Sequence, residues 1–272
     1  DVSLGSRPDL IKLSQTRFLS EKVSQKEINS SIQASLNAKP NLKKSQRTFY
    51  ENNLRNKLTK NDLCLWQVPI EFVSSPESTN PQSFILKNES HQVQLAKNQD
   101  LPIKLNKNGR GFYVTSYSIE FLAQISKAIL SSKLDNLDIL NLLSDFISLN
   151  RAGQFEPGAG AILNLISSSK ETENSHFWSL TGGFLGYIHQ HLKQTDQEGL
   201  LSDYVCQLIT PAKLKLGLEP KESESPNQTG ARFEILSLGA MAKDLDIHKN
   251  LLALYDANAE DLTNLHPEQR LL

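Results

Sequence analysis

The sequence predicts a β-then-α chain: a small antiparallel β-sandwich over residues 1–117, followed by an α-helical solenoid of stacked hairpins over 118–272. Three observations carry this. Up to Tyr117 the chain consists of short runs rich in β-branched and aromatic residues, separated by turn formers such as those in 5–9 and 106–109. After Tyr117 the apolar period changes from alternation to helical spacing. The connections between the later periodic segments are short, as they are between successive antiparallel helices.

Strands are expected over Val2 to Leu4, Leu10 to Phe18, Leu63 to Val73, Ser83 to Leu86, Gln92 to Leu95, Ile103 to Leu105 and Gly111 to Tyr117. The alternation is cleanest where Trp66, Val68 and Ile70 oppose Gln67, Pro69 and Glu71. Short antiparallel strands at this density point to a sandwich of the immunoglobulin type. Residues 20–61 break the pattern. Ser24 and Glu27 form a capping box, Val23 and Ile28 a hydrophobic staple, and Ile32 and Leu36 continue one helical face until Pro40 stops it. Tyr50, Leu54 and Leu58 mark a second helical face, so this stretch reads as a mostly helical insertion in a sandwich loop. It holds seven Lys and two Arg against three Glu. A nucleic-acid arm is the alternative reading of that excess, but neither interleaved aromatics nor a Gly/Arg repeat accompanies it.

Beyond Tyr117, Ser118 is a good N-cap, and Ile119, Leu122, Ile125 and Ile129 recur at helical spacing. Leu137 to Leu149 is apolar nearly all round and ends at Gly153. Further helices are expected from Pro157 to Ser168, Ser175 to Leu192, Gln197 to Leu216, Thr229 to Lys243, Ile247 to Ala257 and from His266 onward. The result is a superhelical array without a readable fixed repeat.

The chain has 272 residues, enough for two cores. With 38% hydrophobic and 22% charged residues it has a globular composition, and its apolar runs are too short to cross a bilayer. A formal net charge of -1 gives no general attraction for nucleic acid or acidic lipid. Cys64 and Cys206 are expected to be reduced and buried, which favours a reducing compartment, the cytoplasm. The sequence opens on Asp1 without a leader and reads as cut from a longer chain.

Catalytic patterns are missing. His91, His176, His189, His191, His248 and His266 form neither HExxH nor HxxEH, and His189 and His191 point about 200° apart on a helix. There is no GxSxG elbow, no phosphate loop and no CxxC pair; "EPGAGA" at 156–161 is a helix start with small residues. Asp145 and Asp203 are lone acids on helical faces, expected to be capped or solvated. No catalytic residue, metal ligand or bound cofactor is therefore expected in this stretch. The aromatic segment "GRGFYVTSY" at 109–117 is read as a seam between the two domains, formed by Gly111, Phe112, Tyr113, Val114 and Tyr117. Phe112 and Val114 are expected on one face and Tyr113 and Tyr117 on the other, one face packing in the sandwich and the other on the first helix after Ser118.

Six strings in order resemble the C-terminal half of the zinc aminopeptidases of the aminopeptidase N family: "LIKLSQTRFL" at 10–19, "LWQVPIEF" at 65–72, "IKLNKNGRGFYVTSY" at 103–117, "LLSDFISLNRAG" at 142–153, "HFW" at 176–178 and "LHPEQR" at 265–270. Val114 stands where that family has Arg, and Ser144 precedes Asp145 where it has a double Asp. The resemblance implies a sandwich domain acting as spacer and the beginning of a helical domain that helps enclose a peptide chamber. It further implies that the partners are the rest of the aminopeptidase chain and its peptide substrates. Zinc, held by an HExxH helix and a distant Glu, would belong to that remainder. The competing reading is a stand-alone helical-repeat module that binds a partner protein and has no enzymatic activity.

Overall fold

The computed structural model describes residues 2–4, 10–15, 25–40, 43–44, 46–48, 50–51, 65–73, 82–94, 104–221, 223–265 and 269–271. Several expectations lie outside them: Cys64, His266, the capping box and staple at Ser24 and Val23, and the face carrying Leu54 and Leu58. The described residues are mostly helical, with small antiparallel sheets towards the start of the chain.

Two compact units divide the chain: residues 1–128 with 145–159, and residues 129–144 with 160–272. Among the described residues, the first unit holds two three-stranded antiparallel sheets. In one, β1 (Val2–Leu4) and β5 (Ser90–Gln94) flank β2 (Leu10–Ser14), with Leu13 opposite His91. In the other, β4 (Gln82–Leu86) and β6 (Lys104–Leu105) flank β3 (Val68–Val73), with Ile70 opposite Phe84 and Phe72 opposite Leu105. Alternation decides which residues enter the core. Ile11 and Leu13 are buried while Lys12 between them is exposed, and Ile70, Leu86 and Leu105 are buried in the second sheet. Helix α1 (Gln25–Asn37) buries Ile32 and Leu36 beneath Tyr50, whose ring carries the Lys39 ammonium 4.3 Å from its centroid.

Two strand expectations are corrected. Gly111–Tyr117 is not a strand: residues 111–113 bend and only Tyr117 makes an isolated bridge. The backbone groups a ladder would use are taken by side chains. Asn106 binds the Gly111 N–H and the Gly111 and Tyr113 carbonyls, and Asp145 binds the Thr115 N–H. Similarly, residues 65–67 of the strand expected over Leu63 to Val73 are not strand, and β3 starts at Val68; both backbone groups of Trp66 are bonded to the Gln15 side chain instead.

Helix α2 (Ile119–Leu130) buries Phe121 and Ile125 at the expected spacing. Helix α3 (Asn136–Arg151) closes on Gly153 in the left-handed conformation (φ 64°), with Gln154 N–H donating to the Leu149 carbonyl at 2.8 Å. Then come α4 (Gly158–Ser168), α5 (Ser175–Leu192), α6 (Glu198–Leu216), α7 (Pro226–Ala242) and α8 (Leu245–Asn258). Local signals set their starts. The Asn174 side chain accepts from Phe177 N–H at α5, Ser225 and Gln228 form a capping box at α7 with Pro226 at the first position, and Asp244 accepts from Ile247 N–H at α8. Helix α7 packs against both α5 and α6, and Gly239 lets Ile247 approach so closely that an added Cβ would lie 2.1 Å from Ile247 Cδ1. Trp178, Thr181, Val205, Ile209, Ala231 and Ile247 are fully buried in this unit. No helix among the described residues is long and apolar enough to cross a membrane.

Candidate functional site

The aromatic segment after Asn106 is fixed by a set of buried polar groups that all lie in the first unit. Asn106 adopts the left-handed conformation (φ 55°) and is 3% exposed. Its side-chain oxygen accepts from Gly111 N–H at 2.6 Å, and its amide donates to the Gly111 carbonyl at 3.0 Å and the Tyr113 carbonyl at 3.3 Å. Asn108 (φ 56°) and Gly109 (φ 66°) complete the reversal. Gly111 is required here for space, since a Cβ would lie 2.2 Å from the Tyr113 ring. The Tyr113 phenol is pushed up to about 12, chiefly by burial.

Four residues further on, Tyr117 turns inward. Its hydroxyl accepts from the buried Leu105 N–H at 2.9 Å, and its ring lies 6.5 Å from Phe121 and 6.1 Å, edge-on, from Phe146, which stacks on Phe155. Loss of solvent raises this phenol well above the ordinary tyrosine value. Asp145, one residue before Phe146 on α3, accepts from Thr115 N–H at 2.9 Å and from the Thr115 hydroxyl at 2.7 Å. Burial raises its carboxyl above the usual range, against the opposing pull of the Thr115 donors and of the Lys104 charge. Lys104 is itself buried and donates to the Leu105 and Asn106 carbonyls at 2.6 and 3.1 Å.

In the same unit, Gln15 is a second clamp. Its amide donates to the Trp66 carbonyl at 3.1 Å and the Asn88 carbonyl at 2.9 Å, while its oxygen accepts from Trp66 N–H at 3.0 Å. Between the two clamps lies a groove of ≈ 660 Å³. Leu13, Ile70, Leu86 and Leu105 form its buried floor, and Trp66, Arg110 and Phe112 stand at its rim. Trp66 is 44% exposed and Phe112 fully so at 109%.

Of the residues singled out in the sequence, Gly111, Phe112, Tyr113 and Val114 line this groove, and Tyr117 sits in the aromatic packing beyond it. Tyr117 does meet the first helix after Ser118, through Phe121. Phe112, expected on a packed face, instead projects into solvent, because the Asn106 clamp bends the backbone out of the alternation that would have turned it inward. Asp145, expected to be capped or solvated, is a buried anchor, and Lys104 and Asn106 were not singled out at all. The available signal was an acid inside a helix apolar on nearly every side, which must find donors.

Among the described residues, the groove lining contains no His, Cys, Asp or Glu, so these residues offer shape and apolar surface and no acid–base pair. Among the described histidines, His189 lies 3.9 Å from Glu198, while His191 and His248 bond to the Tyr187 and Ala240 carbonyls. No three His, Cys, Asp or Glu side chains gather among the described residues in a way that could hold a metal ion.

Residues 102–272 match a family model described as the ERAP1-like C-terminal domain. Among curated proteins the chain is similar to Aminopeptidase M1-B of Oryza sativa subsp. japonica, 25% identical over 216 residues, covering 75% of this chain and 24% of that protein. It is also similar to Aminopeptidase M1-A of the same plant, 29% identical over 168 residues and covering 58% of this chain and 19% of that protein. Aminopeptidase M1-D is 24% identical over 178 residues, covering 60% of this chain and 20% of that protein. The chain thus spans about a quarter or less of the length of these relatives. Because the family match takes in well over half of the chain, the chain belongs to the family of ERAP1-like C-terminal domains, the C-terminal region of M1 aminopeptidases.

Proposed function

We propose that this chain is the non-catalytic C-terminal part of a zinc aminopeptidase that removes N-terminal residues from peptides. The observation that carries the reading is the match of residues 102–272 to the C-terminal domain family, together with similarity to aminopeptidases that are about four times longer than the aligned region. In this reading the strands up to Tyr117 form an immunoglobulin-like sandwich that acts as a spacer. The helices from Ser118 form a solenoid that walls the peptide chamber. Zinc and the groups that activate water belong to the part of the enzyme outside these residues, and the parent works in the cytoplasm. None of the residues described above is assigned a step in hydrolysis.

A stand-alone interaction module is the second reading, and one observation bears on the choice. Helix α8 leaves Leu245, Leu252 and Tyr255 exposed at 85%, 63% and 59%, beside a cavity of ≈ 320 Å³ lined by Leu251, Leu254 and Leu265. A terminal capping repeat in a free-standing array carries a polar outer face, whereas an array that continues leaves such an apolar one. The test is hydrolysis of aminoacyl arylamides with and without Zn²⁺. The 272-residue chain is expected to be inactive and the longer parent active in a chelator-sensitive way. Metal-dependent turnover by the 272-residue chain, or a parent without it, overturns the reading.

A further inference from the structure

We propose that Asn108 is a site of covalent self-modification, deamidation through a cyclic imide with Gly109, and that the Asn106 clamp holds the reaction off until the loop opens. Asn108-Gly109 is the only Asn-Gly step in the sequence. In such a step the backbone nitrogen of the glycine attacks the side-chain carbonyl carbon of the asparagine. A new C–N bond forms, the side-chain amide C–N bond breaks, and ammonia leaves with the proton that the attacking nitrogen gives up. Water then opens either carbonyl of the five-membered imide and leaves aspartate or isoaspartate at 108. The balance needs only water. Asn counts among the thermolabile residues, and a following glycine has no Cβ to crowd the attacking nitrogen.

The folded loop grants water access but withholds the geometry. Gly109 is exposed and Asn108 partly so. Asn108 sits at φ 56° and ψ 20°, where its own backbone nitrogen is nearly eclipsed with the Gly109 nitrogen. A planar imide needs Cβ in that eclipsed place, so the peptide unit between the two residues, which moves as one rigid plane, must swing about the Asn108 Cα–C bond. The Gly109 N–H donates to the Asn106 carbonyl at 2.9 Å, so the nucleophile is tied down as well as misdirected. The same carbonyl accepts from the buried Lys104 ammonium at 3.1 Å, and the Asn106 side chain makes three further hydrogen bonds to Gly111 and Tyr113.

Asn106 and Asn108, neither of them glycine, hold left-handed backbones, and such strain persists only where the surroundings over-determine it. Releasing Asn106 therefore frees the Gly109 nitrogen and removes what kept Asn108 in its unreactive conformation. Either product places a carboxylate close in the chain to Arg110, which lies 3.9 Å from Glu71. Isoaspartate also routes the main chain through its β-carbon and lengthens the turn. A molecule whose loop has opened long enough to react thus keeps a covalent record of it.

The experiment uses the full-length protein that carries this chain. It is held at mildly alkaline pH, and conversion at residue 108 is followed by mass spectrometry, with isoaspartate identified against synthetic peptides. Native protein is expected to convert at least about tenfold more slowly than protein unfolded in urea, because the closed loop must open first. Asn106→Gly accepts φ 55° without strain while deleting the side-chain bonds, so it should recover most of that difference. Asn88, exposed but followed by Glu89, should keep its native rate in the variant. The unsubstituted protein gives an independent reading: across sub-denaturing urea the rate at 108 should rise in step with hydrogen exchange at the Gly109 amide. Equal rates in native and unfolded protein, an unchanged rate in folded Asn106→Gly, no conversion even when unfolded, or conversion that ignores Gly109 exchange each overturns the proposal.

Discussion

Replacing Tyr117 by Phe removes one oxygen from the interior of the first unit, and the structure says what that oxygen is worth. It accepts the Leu105 N–H at 2.9 Å, and Leu105 is 4% exposed, so no water takes the place of the lost acceptor. An orphaned buried donor costs about 1–3 kcal/mol, more than the ~1 kcal/mol typical of one hydrogen bond exchanged with solvent. The ring contacts at 6.5 Å to Phe121 and 6.1 Å to Phe146 survive the change, so the loss comes from the polar partner and not from packing. Tyr117→Phe is therefore expected to destabilise by about 2 kcal/mol, read as a lower urea midpoint with unchanged slope. The Leu105 amide should exchange hydrogen faster while amides in α7 keep their protection. A loss below about 0.5 kcal/mol with Leu105 protection unchanged would refute the assignment of the phenol oxygen as that amide's partner.

Asp145→Asn keeps an acceptor for Thr115 but removes a buried charge, and pH separates the two effects. A carboxyl whose folded pKa is raised binds more protons in the folded state, so its contribution falls as pH rises from about 4, the unfolded value, through the folded one and is level beyond. The Asn variant should lack that decline, as urea titrations at several pH values would reveal. Gly111→Ala should cost about 1–3 kcal/mol by overpacking against Tyr113, and Gly111→Ala with Tyr113→Ala should recover part of it in a double-mutant cycle. Gly239→Ala should destabilise the second unit through its contact with Ile247 Cδ1, and Ile247→Val, which deletes that atom, should relieve the clash; no relief means the α7–α8 approach is set elsewhere. Burial pushes the Asp244 carboxyl up, but Lys213 and the Ile247 N–H outweigh it and hold it below the usual range. Its contribution is present above the unfolded carboxylate value and is lost as pH falls through the folded one. Asp244→Ala should cost about 2 kcal/mol at neutral pH, and that difference should shrink in acid.

The sequence by itself determined what nearest neighbours along the chain can decide. Helix α5 runs from Ser175 to Leu192 as its residues predict, because an Asn cap and a 3.6-residue apolar period act within a few residues. Gly153 ends α3 for an equally local reason, a left-handed backbone that glycine adopts without strain. The order of six short strings was also enough to point to the family, since each string is local. What only the tertiary structure decided depends on partners far apart in sequence. Asp145 becomes a buried anchor because Thr115, thirty residues earlier, brings it two donors. Gln15 and Trp66, which sit in two separate family-like strings, prove to be bonded to each other across 51 residues. The same competition explains the expectation that failed. Residues 111–117 have the composition of a strand, but side chains from Asn106 and Asp145 take the backbone groups that a neighbouring strand would have needed, and Phe112 is left in water. Propensity describes what a segment prefers when its backbone is free to pair; which groups are free is settled only when distant side chains arrive.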